Sequence, residues 1–492
     1  MKRWLGPVFA LLVMVAASAH IGSPNVLFDG TAGPYAVRVI VRPPEVVPGL
    51  AEVTVRTDSM VTRVNIRPVF WRAGVRGAPA GDDMQRVPGR ATLYTGRLWL
   101  MSYGSSSVYV TVDGSRGSGT VIVPVGSFAT GRLPLSPALG ALLAVLAVVL
   151  FAGLLSIIRA GAGESLVAPG DVFDATRRRS ANRIVAIAAP LLALAVFGGW
   201  TWWQSEDATY RRRMYASPEL RASITNDPTH RRLDLVVRDT ASFHAIGSAV
   251  TPDHGKMMHL FLLSTGDSVQ RFAHLHPVEA DSLRFTTEVP WLPAGRYRLF
   301  GDITLENGLS LTVTNTVDLP ALAGTVAPSD SDDAWTTVEH PTPLGSGAVA
   351  PVGDGYSIGW SGAGSLAAKT PSDLRFTVRD PTGRVVPLHP YLGMAAHAVV
   401  LRDDGSVFIH LHPMGTVAPA AQRAFSLRDR GDTTARGRLL DSNTGSGDMS
   451  AMSLSGDLDF PYEFPKAGHY LVYVQVKPAT RVLTGIFDVN VR

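Results

Sequence analysis

The sequence predicts a largely β-structured protein with three β-sandwich domains and one hairpin of two transmembrane helices. Short runs of alternating apolar and polar residues cover most of the chain, separated by turns that use many of its 48 glycines and 34 prolines. Two long apolar runs interrupt this pattern. The length of 492 residues suits about three domains, and the 46% hydrophobic share excludes a wholly disordered chain.

The N-terminus has the pattern of an export signal. Lys2 and Arg3 precede an apolar run over residues 11–17, and the small residues Ala-Ser-Ala at 17–19 are typical of a cleavage site. We therefore expect residues 1–19 to be a signal peptide and His20 to begin the exported chain. An uncleaved membrane anchor is the alternative, although the run is short for a span of about 20 residues.

Two longer apolar runs predict transmembrane helices at residues 134–158 and 184–203. Both runs are free of charged residues and long enough to cross a hydrocarbon core of about 30 Å. The connecting segment, residues 159–183, contains five arginines, so the positive-inside rule places it in the cytoplasm. The soluble regions before and after the hairpin then lie on the extracytoplasmic side of the cell membrane. Two buried core helices are the alternative interpretation.

The exported regions divide into three predicted domains. Residues 20–132 form an N-terminal β-sandwich, and residues 215–322 and 345–492 form two more, joined by a linker over residues 323–344. We expect these sandwiches to be immunoglobulin-like or cupredoxin-like in type. A Ser-, Gly- and Asp-rich insertion at residues 441–457 predicts a mobile loop in the last domain.

The two C-terminal domains are predicted to be copies of one unit, because the same motifs recur in each. The first contains Gly-Lys-Met-Met-His at 255–259 and Phe-Ala-His-Leu-His-Pro at 272–277. The second contains Gly-Met-Ala-Ala-His at 393–397 and Phe-Ile-His-Leu-His-Pro at 408–413. Of 13 histidines, all except His20 fall in the C-terminal part of the chain, so histidine marks this duplicated region.

Three histidines in each copy are predicted to converge on one face of a hairpin. Residues two apart on a strand point to the same side, which makes His274 and His276 co-facial. With a turn at residues 266–267, His259 lies opposite His274 on the partner strand. The second copy keeps the same parity. The candidate metal ligands are therefore His259, His274 and His276 in the first copy, and His397, His410 and His412 in the second.

Three converging imidazoles predict a transition-metal site. The chain has no cysteine, which excludes thiolate ligands and disulfides. Nitrogen ligands bind copper more tightly than the other divalent first-row ions, so we predict copper, with zinc as the alternative ion. Thioethers that favour Cu(I) flank the clusters, at Met257, Met258, Met394 and Met414. The competing interpretation is that these histidines have structural or partner-binding roles.

A resemblance to a known family supports this interpretation. Pro-Tyr-Leu-Gly at 390–393, followed by His397 and His-Leu-His-Pro at 410–413, resembles exported bacterial β-sandwich proteins of the YtkA-like, copper-associated type. The resemblance covers both copies and implies a sandwich in an extracytoplasmic, metal-linked setting without a defined ligand set. The first copy has Thr-Pro-Asp-His at 251–254 where we align Pro-Leu-His-Pro at 387–390, so the two sites are expected to differ in affinity.

The N-terminal sandwich is similar in size and strand pattern to CopC-like copper carriers. This resemblance implies that His20, once it is the first residue, chelates one copper with its α-amine and imidazole. Residues 21–229 contain no second histidine to complete such a brace, so an incidental post-cleavage histidine is the alternative.

The sequence predicts a binding protein and not an enzyme. Gly-Tyr-Ser-Ile-Gly at 355–359 matches a nucleophile-elbow pattern, but that pattern needs a strand-to-helix turn in an α/β sheet. The catalytic alternative is a three-histidine metal site with an open coordination position. Arginines scattered along alternating strands argue against nucleic acid as a partner.

The sequence therefore predicts a membrane-anchored extracytoplasmic protein that binds copper for metal resistance, delivery or sensing. Its expected partners are the membrane, a transition-metal ion and an envelope metal-transport or sensor protein. The alternative is a structural or scaffolding envelope protein whose sandwiches bind a protein partner without metal.

Overall fold

The computed structural model describes residues 25–165, 167–168, 170–172, 174–215, 217–226, 230–238, 248–265, 269–281, 283–321, 330–362, 364–432 and 454–492. The chain divides into two compact units, one formed by Met1–Phe128 with Ala216–Arg492 and the other by Ala129–Tyr215. Several β-sheets make up the first unit, and two long helices make up the second. The predicted signal peptide, residues 1–19, and His20 lie outside the described residues.

The N-terminal domain consists of two antiparallel sheets. Inward-facing valines at every second position, such as Val37, Val39 and Val41, fill the space between them, as the alternating pattern predicts. The sheets have the orders β1-β2-β3-β7-β6 and β5-β4-β8-β9. The elements are β1 Val26–Ala32, β2 Tyr35–Arg42, β3 Gly49–Thr57, β4 Arg63–Phe70, α1 Gly74–Gly77, β5 Asp82–Asp83, β6 Gln85–Arg86, β7 Leu93–Leu100, β8 Gly104–Gly114 and β9 Gly117–Ser127.

The second unit contains helices α2, Pro137–Glu164, and α3, Ala175–Arg213, which contact each other. Both are long and apolar enough to cross a membrane. Helix α2 begins three residues inside the predicted range 134–158 and ends six residues beyond it, and α3 extends beyond the predicted range 184–203 at both ends, because helical structure continues into flanking residues outside the apolar runs. A capping side chain accepts a hydrogen bond from a backbone N–H at the start of each helix. Ser136 accepts from the Leu139 N–H in α2, and Asp174 accepts from the Arg177 N–H in α3.

The first histidine-bearing copy also has two sheets. They have the orders β10-β11-β16-β15 and β12-β17-β13-β14-β19, with β18 paired to β17. The strands are β10 Leu220–Asn226, β11 Arg231–Val237, β12 Val250–Thr251, β13 His259–Ser264, β14 Gln270–Leu275, β15 Val278–Asp281, β16 Arg284–Glu288, β17 Gly295–Leu305, β18 Ser310–Leu319 and β19 Ala334–Val338. Strand β19 lies in the predicted linker, residues 323–344, yet it pairs with β14, so part of that segment belongs to the first copy.

The second copy repeats this arrangement with one added helix. Its sheets have the orders β20-β28-β27-β24-β25 and β21-β22-β23-β26. The elements are β20 Thr342–Pro343, β21 Val349–Pro351, β22 Ser357–Trp360, β23 Pro371–Arg379, β24 Ala396–Arg402, β25 Phe408–Leu411, α4 Pro419–Asp429, β26 Asp457–Glu463, β27 Gly468–Val476 and β28 Leu483–Val491. Most of the insertion predicted at residues 441–457 lies outside the described residues. Ser357 begins a strand of an antiparallel sheet, so the nucleophile-elbow pattern has no strand-to-helix turn around it.

One sheet of the first copy packs face to face against one sheet of the second copy. The interface is an apolar cluster in which Phe300 stacks on Phe408 at 4.1 Å and Phe272 stacks on Tyr473 at 4.6 Å between ring centroids. Phe261 belongs to this cluster and is two residues from His259 on β13, so the face that carries the histidines is the interface face. The histidines of both copies therefore meet at the end of an apolar, packed contact.

The N-terminal sandwich holds the loop that follows His412. The Asp29 N–H donates to the Met414 carbonyl at 2.8 Å, and the Thr416 N–H donates to the Leu27 carbonyl at 2.9 Å. Met414 packs against the core of the N-terminal domain. An ion pair at 2.5 Å between Arg42 and the buried Glu463 adds to this contact. The loop next to the second histidine triad is thus fixed by strand β1.

Candidate metal centre

The hairpins that carry the histidines have a different register from the predicted one. In the first copy Leu260 pairs with Leu275 and Phe261 pairs with His274, so His259 is level with residue 276 and not with His274. In the second copy Ala398 pairs with Leu411, which gives the same register. The predicted pairing of His259 with His274 was therefore wrong by two residues. Because an even shift leaves every side chain on its own face, the three histidines of each copy still share one side.

The first triad is a buried group of three imidazoles. His259, His274 and His276 are each no more than 2% exposed, and one ring nitrogen from each lies within 4.8 Å of the others. The Nδ1 atom of His259 is 3.1 Å from Nε2 of His274. This separation is close to the roughly 3.3 Å edge of a tetrahedron of nitrogens at about 2.0 Å from a shared metal ion.

The opposite ring nitrogens of the first triad contact polar oxygens. His259 Nε2 lies 3.2 Å from the Asp253 carbonyl, and His276 Nδ1 lies 3.0 Å from Asp333 Oδ1. His274 Nδ1 lies 2.8 Å from Gln475 Oε1 and 3.0 Å from the Tyr391 hydroxyl. Metal-bound histidines commonly have such acceptors on the nitrogen that faces away from the metal.

The second triad has the same construction. His397 Nδ1 is 3.0 Å from His410 Nε2, and His397 Nε2 is 3.1 Å from the Tyr391 carbonyl. His410 Nδ1 faces Asp302 Oδ2 at 3.6 Å. The three ligand nitrogens of His397, His410 and His412 lie within 4.8 Å of one another, and all three side chains are buried.

Each copy supplies an outer contact to the central histidine of the other copy. Asp302 is paired with His259 across strands β13 and β17, and Gln475 is paired with His397 across β24 and β27, so these two residues occupy equivalent positions. Asp302 faces His410 of the second copy, and Gln475 contacts His274 of the first. The two triads are therefore built by both copies together.

Burial keeps the clustered histidines neutral. Loss of hydration, together with the neighbouring imidazoles, holds the pKa well below the usual value of 6.5 for His259, His274, His397, His410 and His412. Burial also raises the pKa of Asp302 to about 7. Neutral imidazole is the form that binds metal ions, so these ligands need no deprotonation at pH 7.

Several buried ring nitrogens in the cluster have no hydrogen-bond partner among the described residues. They include Nε2 of His276, of His412 and of His254. A buried polar atom without a partner costs about 1–3 kcal/mol, and these nitrogens are free to accept or donate to a further group. The His254 ring centroid lies 5.1 Å from that of His412 and 5.3 Å from that of His397.

Sequence reasoning missed four residues of this centre. Asp333 lies in the segment predicted as a linker, and Gln475 is a fully buried polar residue in the apolar strand β27. Asp302 and His254 were given no role. Among the other histidines, His469 lies at a half-exposed position, where its Nε2 is 2.7 Å from Asp488 Oδ1. His244 and two methionines of the insertion, Met449 and Met452, lie outside the described residues.

Comparisons with known proteins give a family match for this part of the chain. A family model described as a "Domain of unknown function (DUF8832)" matches residues 222–320 and 350–492. The two matched segments contain both histidine triads. No curated protein sequence matches the chain. The match assigns these segments no activity.

Solved structures with similar segments resemble the chain only weakly. An engineered protein is 19% identical over 18% of this chain and 19% of its own, with a TM-score of 0.15. A tetra-tandem repeat from the extending region of a large adhesion protein is 10% identical over 90% of this chain and 71% of its own, with a TM-score of 0.15. Escherichia coli alpha-2-macroglobulin is 9% identical over 96% of this chain and 23% of its own, with a TM-score of 0.18.

Proposed function

We propose that this chain is a membrane-anchored protein whose two histidine triads bind transition-metal ions on the extracytoplasmic side. The facing ring nitrogens carry this proposal: His259 Nδ1 and His274 Nε2 at 3.1 Å, with His397 Nδ1 and His410 Nε2 at 3.0 Å. Binding of an ion, for resistance, delivery or sensing, is the proposed role, and catalysis is not.

The proton positions explain why the facing nitrogens suit a metal. His259 Nε2 faces a carbonyl oxygen, which only accepts, so that nitrogen carries the proton and Nδ1 presents a lone pair. Donation from His274 Nδ1 to the Gln475 oxygen leaves a lone pair on His274 Nε2 in the same way. In this pair of tautomers two lone pairs lie about 3 Å apart and repel unless a cation lies between them, whereas a proton on His274 Nε2 would make the same contact a hydrogen bond to His259 Nδ1. A metal ion therefore satisfies both rings with the outer contacts that they already have.

Copper is the proposed ion, and zinc is the alternative. The described cluster offers imidazole nitrogens, which both ions accept, and the general affinity order places Cu(II) above Zn(II). The Asp253 carboxylate lies next to His412 and the Asp333 carboxylate next to His276, and both supply negative charge that offsets a bound cation. Asp302, whose pKa is raised to about 7 by burial, supplies less. Met414 packs into the N-terminal core, so support for Cu(I) from that thioether is weaker than the sequence indicates.

Metal uptake by the full-length chain in detergent tests this proposal. Isothermal titration with Cu(II), Cu(I) and Zn(II), checked by equilibrium dialysis, is expected to show saturable binding of two ions per chain. The double variants His274→Ala/His276→Ala and His410→Ala/His412→Ala should each lose one ion, whereas His340→Ala, at an exposed position, should lose none. Absence of saturable uptake in the parent chain, with its β-sheet circular dichroism intact, would reject metal binding and favour the scaffolding alternative.

The side of the membrane on which the centre lies has a separate test. The chain lacks cysteine, so a single introduced thiol reports its own location. Ser118→Cys places it at an exposed position of the N-terminal sandwich, and Ala168→Cys places it at an exposed position between α2 and α3. A membrane-impermeant maleimide should label the first variant in intact spheroplasts and the second only after lysis. The reverse pattern would overturn the proposed orientation.

A further inference from the structure

The two copies differ in the turn that comes before strand β13 in the first copy and before strand β24 in the second. In the first copy His254 has a positive φ of 52° and Gly255 follows it, in a turn closed by a bridge between Asp253 and Lys256. In the second copy Leu392 has a φ of 51° in the matching turn, closed by Tyr391 and Met394. These turns correct the earlier alignment of residues 251–254 with 387–390, because His254 corresponds to Leu392.

The His254 ring lies beside the triad of the other copy. Its centroid is 5.1 Å from His412 and 5.3 Å from His397, but 6.2 Å from His259 of its own copy. The Nε2 atoms of His254 and His412 are both buried and lack a hydrogen-bond partner among the described residues. Ligand atoms of Asp253, His254 and His412 lie within 4.8 Å of one another. The second triad is therefore next to a fourth available imidazole.

Asp253 is a poorer candidate for that fourth ligand. Its Oδ1 accepts the Ala420 N–H at 3.0 Å, at the start of helix α4, and its carbonyl oxygen contacts His259 Nε2. This carboxylate is thus engaged with the helix, whereas Nε2 of His254 has no hydrogen-bond partner in the part of the chain that the structure describes. The aspartate contributes nearby negative charge.

We propose that His254 is the fourth ligand of the second-copy ion, so that the two ions of the centre are bound with different coordination and different exchange rates. This inference rests on the proposed metal-binding function. Four imidazoles close the coordination shell of the second ion, as in structural metal sites. In the second copy Leu392 occupies the matching turn position and offers no ligand atom, which leaves the first-copy ion three imidazoles and one open position for an incoming ligand or acceptor. The first-copy ion is then the exchangeable one.

The variant His254→Leu tests this assignment, because leucine already occupies the matching position at the same φ. The full-length chain is loaded with Cu(II) or Zn(II), and release to an excess of chromophoric chelator is followed over time. The parent should release one ion fast and the other slowly. In the variant the slow ion should be released at least about tenfold faster, with the fast phase unchanged. His340→Leu is the matched control and should leave both phases unchanged.

Spectroscopy of the ion itself provides a second measurement. Co(II) bound to the second site should show the intense visible bands of a tetrahedral nitrogen site, and these should weaken in His254→Leu. A His254→Asn variant, whose residue tolerates positive φ, guards against an effect of the turn alone. Two bound ions with identical release and spectra in parent and His254→Leu chains would overturn the fourth-ligand assignment and leave the proposed function standing. Absence of saturable uptake in the parent would instead remove the proposed function.

Discussion

Replacing Asp333 by asparagine isolates the outer contact of the first triad. Asp333 Oδ1 accepts the His276 backbone N–H at 2.8 Å and lies 3.0 Å from His276 Nδ1, and Oδ2 accepts the Asp330 N–H at 3.1 Å. Asparagine has nearly the same shape, but only one of its two terminal atoms accepts. Asp333→Asn therefore keeps the packing, removes the charge, and sets an amide N–H against a backbone donor.

The expected loss follows from these contacts. A hydrogen bond to a charged group contributes about 1.5–3 kcal/mol and a neutral one about 0.5–1.5 kcal/mol, so the change weakens the hold on His276 by about 1–1.5 kcal/mol. Since about 1.4 kcal/mol corresponds to a tenfold change in Kd, we expect the first-site Kd to rise by about tenfold. This agrees with the 10- to 100-fold range typical of the outer partners of metal-bound histidines.

Isothermal titration of the full-length chain with Cu(II), with Zn(II) as a weaker comparison ion, measures this effect site by site. The matched control is Asp488→Asn, which alters a carboxylate paired with His469 outside the cluster and should leave both Kd values unchanged. An unchanged first-site Kd in Asp333→Asn, or an equal loss at both sites, would show that Asp333 does not support a metal bound by His276.

Three further outcomes are expected. The pKa of five clustered histidines lies well below 6.5 in the folded chain, so the metal-free protein should keep its full stability above that pH. As the pH falls below 6.5, the unfolded chain takes up protons that the folded chain does not, which lowers the free energy of unfolding by up to about 1.4 kcal/mol per pH unit for each histidine. Urea unfolding at pH 7.5 and 5.5 measures this loss. Gly415 has a φ of 105°, and a Cβ there would overlap the Leu27 carbonyl. Gly415→Ala should therefore lower the free energy of unfolding by about 1–3 kcal/mol and expose the loop after His412 to limited proteolysis. Gly364→Ala, where a Cβ meets open space, is the control. Phe300→Ala should remove about 3–5 kcal/mol of packing free energy from the interface between the copies and weaken both metal sites together. Faster hydrogen exchange in β13 and β24 and a higher Kd for each ion would show this.

The alternating pattern was enough to predict the strands and the face on which the histidines lie. The predicted register of the first hairpin was wrong by two residues, and the error had no effect on that face because side chains repeat every second position. Hydropathy located both long helices but not their ends, since each helix begins at a polar capping side chain, Ser136 or Asp174, whose effect hydropathy does not measure.

The contact between the copies could not be placed from periodicity alone. Strand β13 reads His-Leu-Phe-Leu-Leu-Ser, apolar at nearly every position, and such a run indicates a strand buried on both faces. One face covers its own sandwich and the other covers the second copy. The run signals the second contact but does not identify its partner, so Asp302 and Gln475 could not be matched to histidines in the other domain. The signal for His254 was its place before a glycine, a turn position at which the histidine takes a φ of 52°.

Duplication within one chain matters for the centre because each triad depends on the other copy. A single copy would expose Phe261 beside its histidines, and His274 would lack Gln475, just as His410 would lack Asp302. Two identical copies in a symmetric pair would solve the burial problem but would have to make both sites alike. Fusion into one chain removes that constraint, so one turn can carry His254 while its counterpart carries Leu392. The proposed difference between a retained ion and an exchangeable one is available to a tandem repeat and not to a homodimer of the same unit.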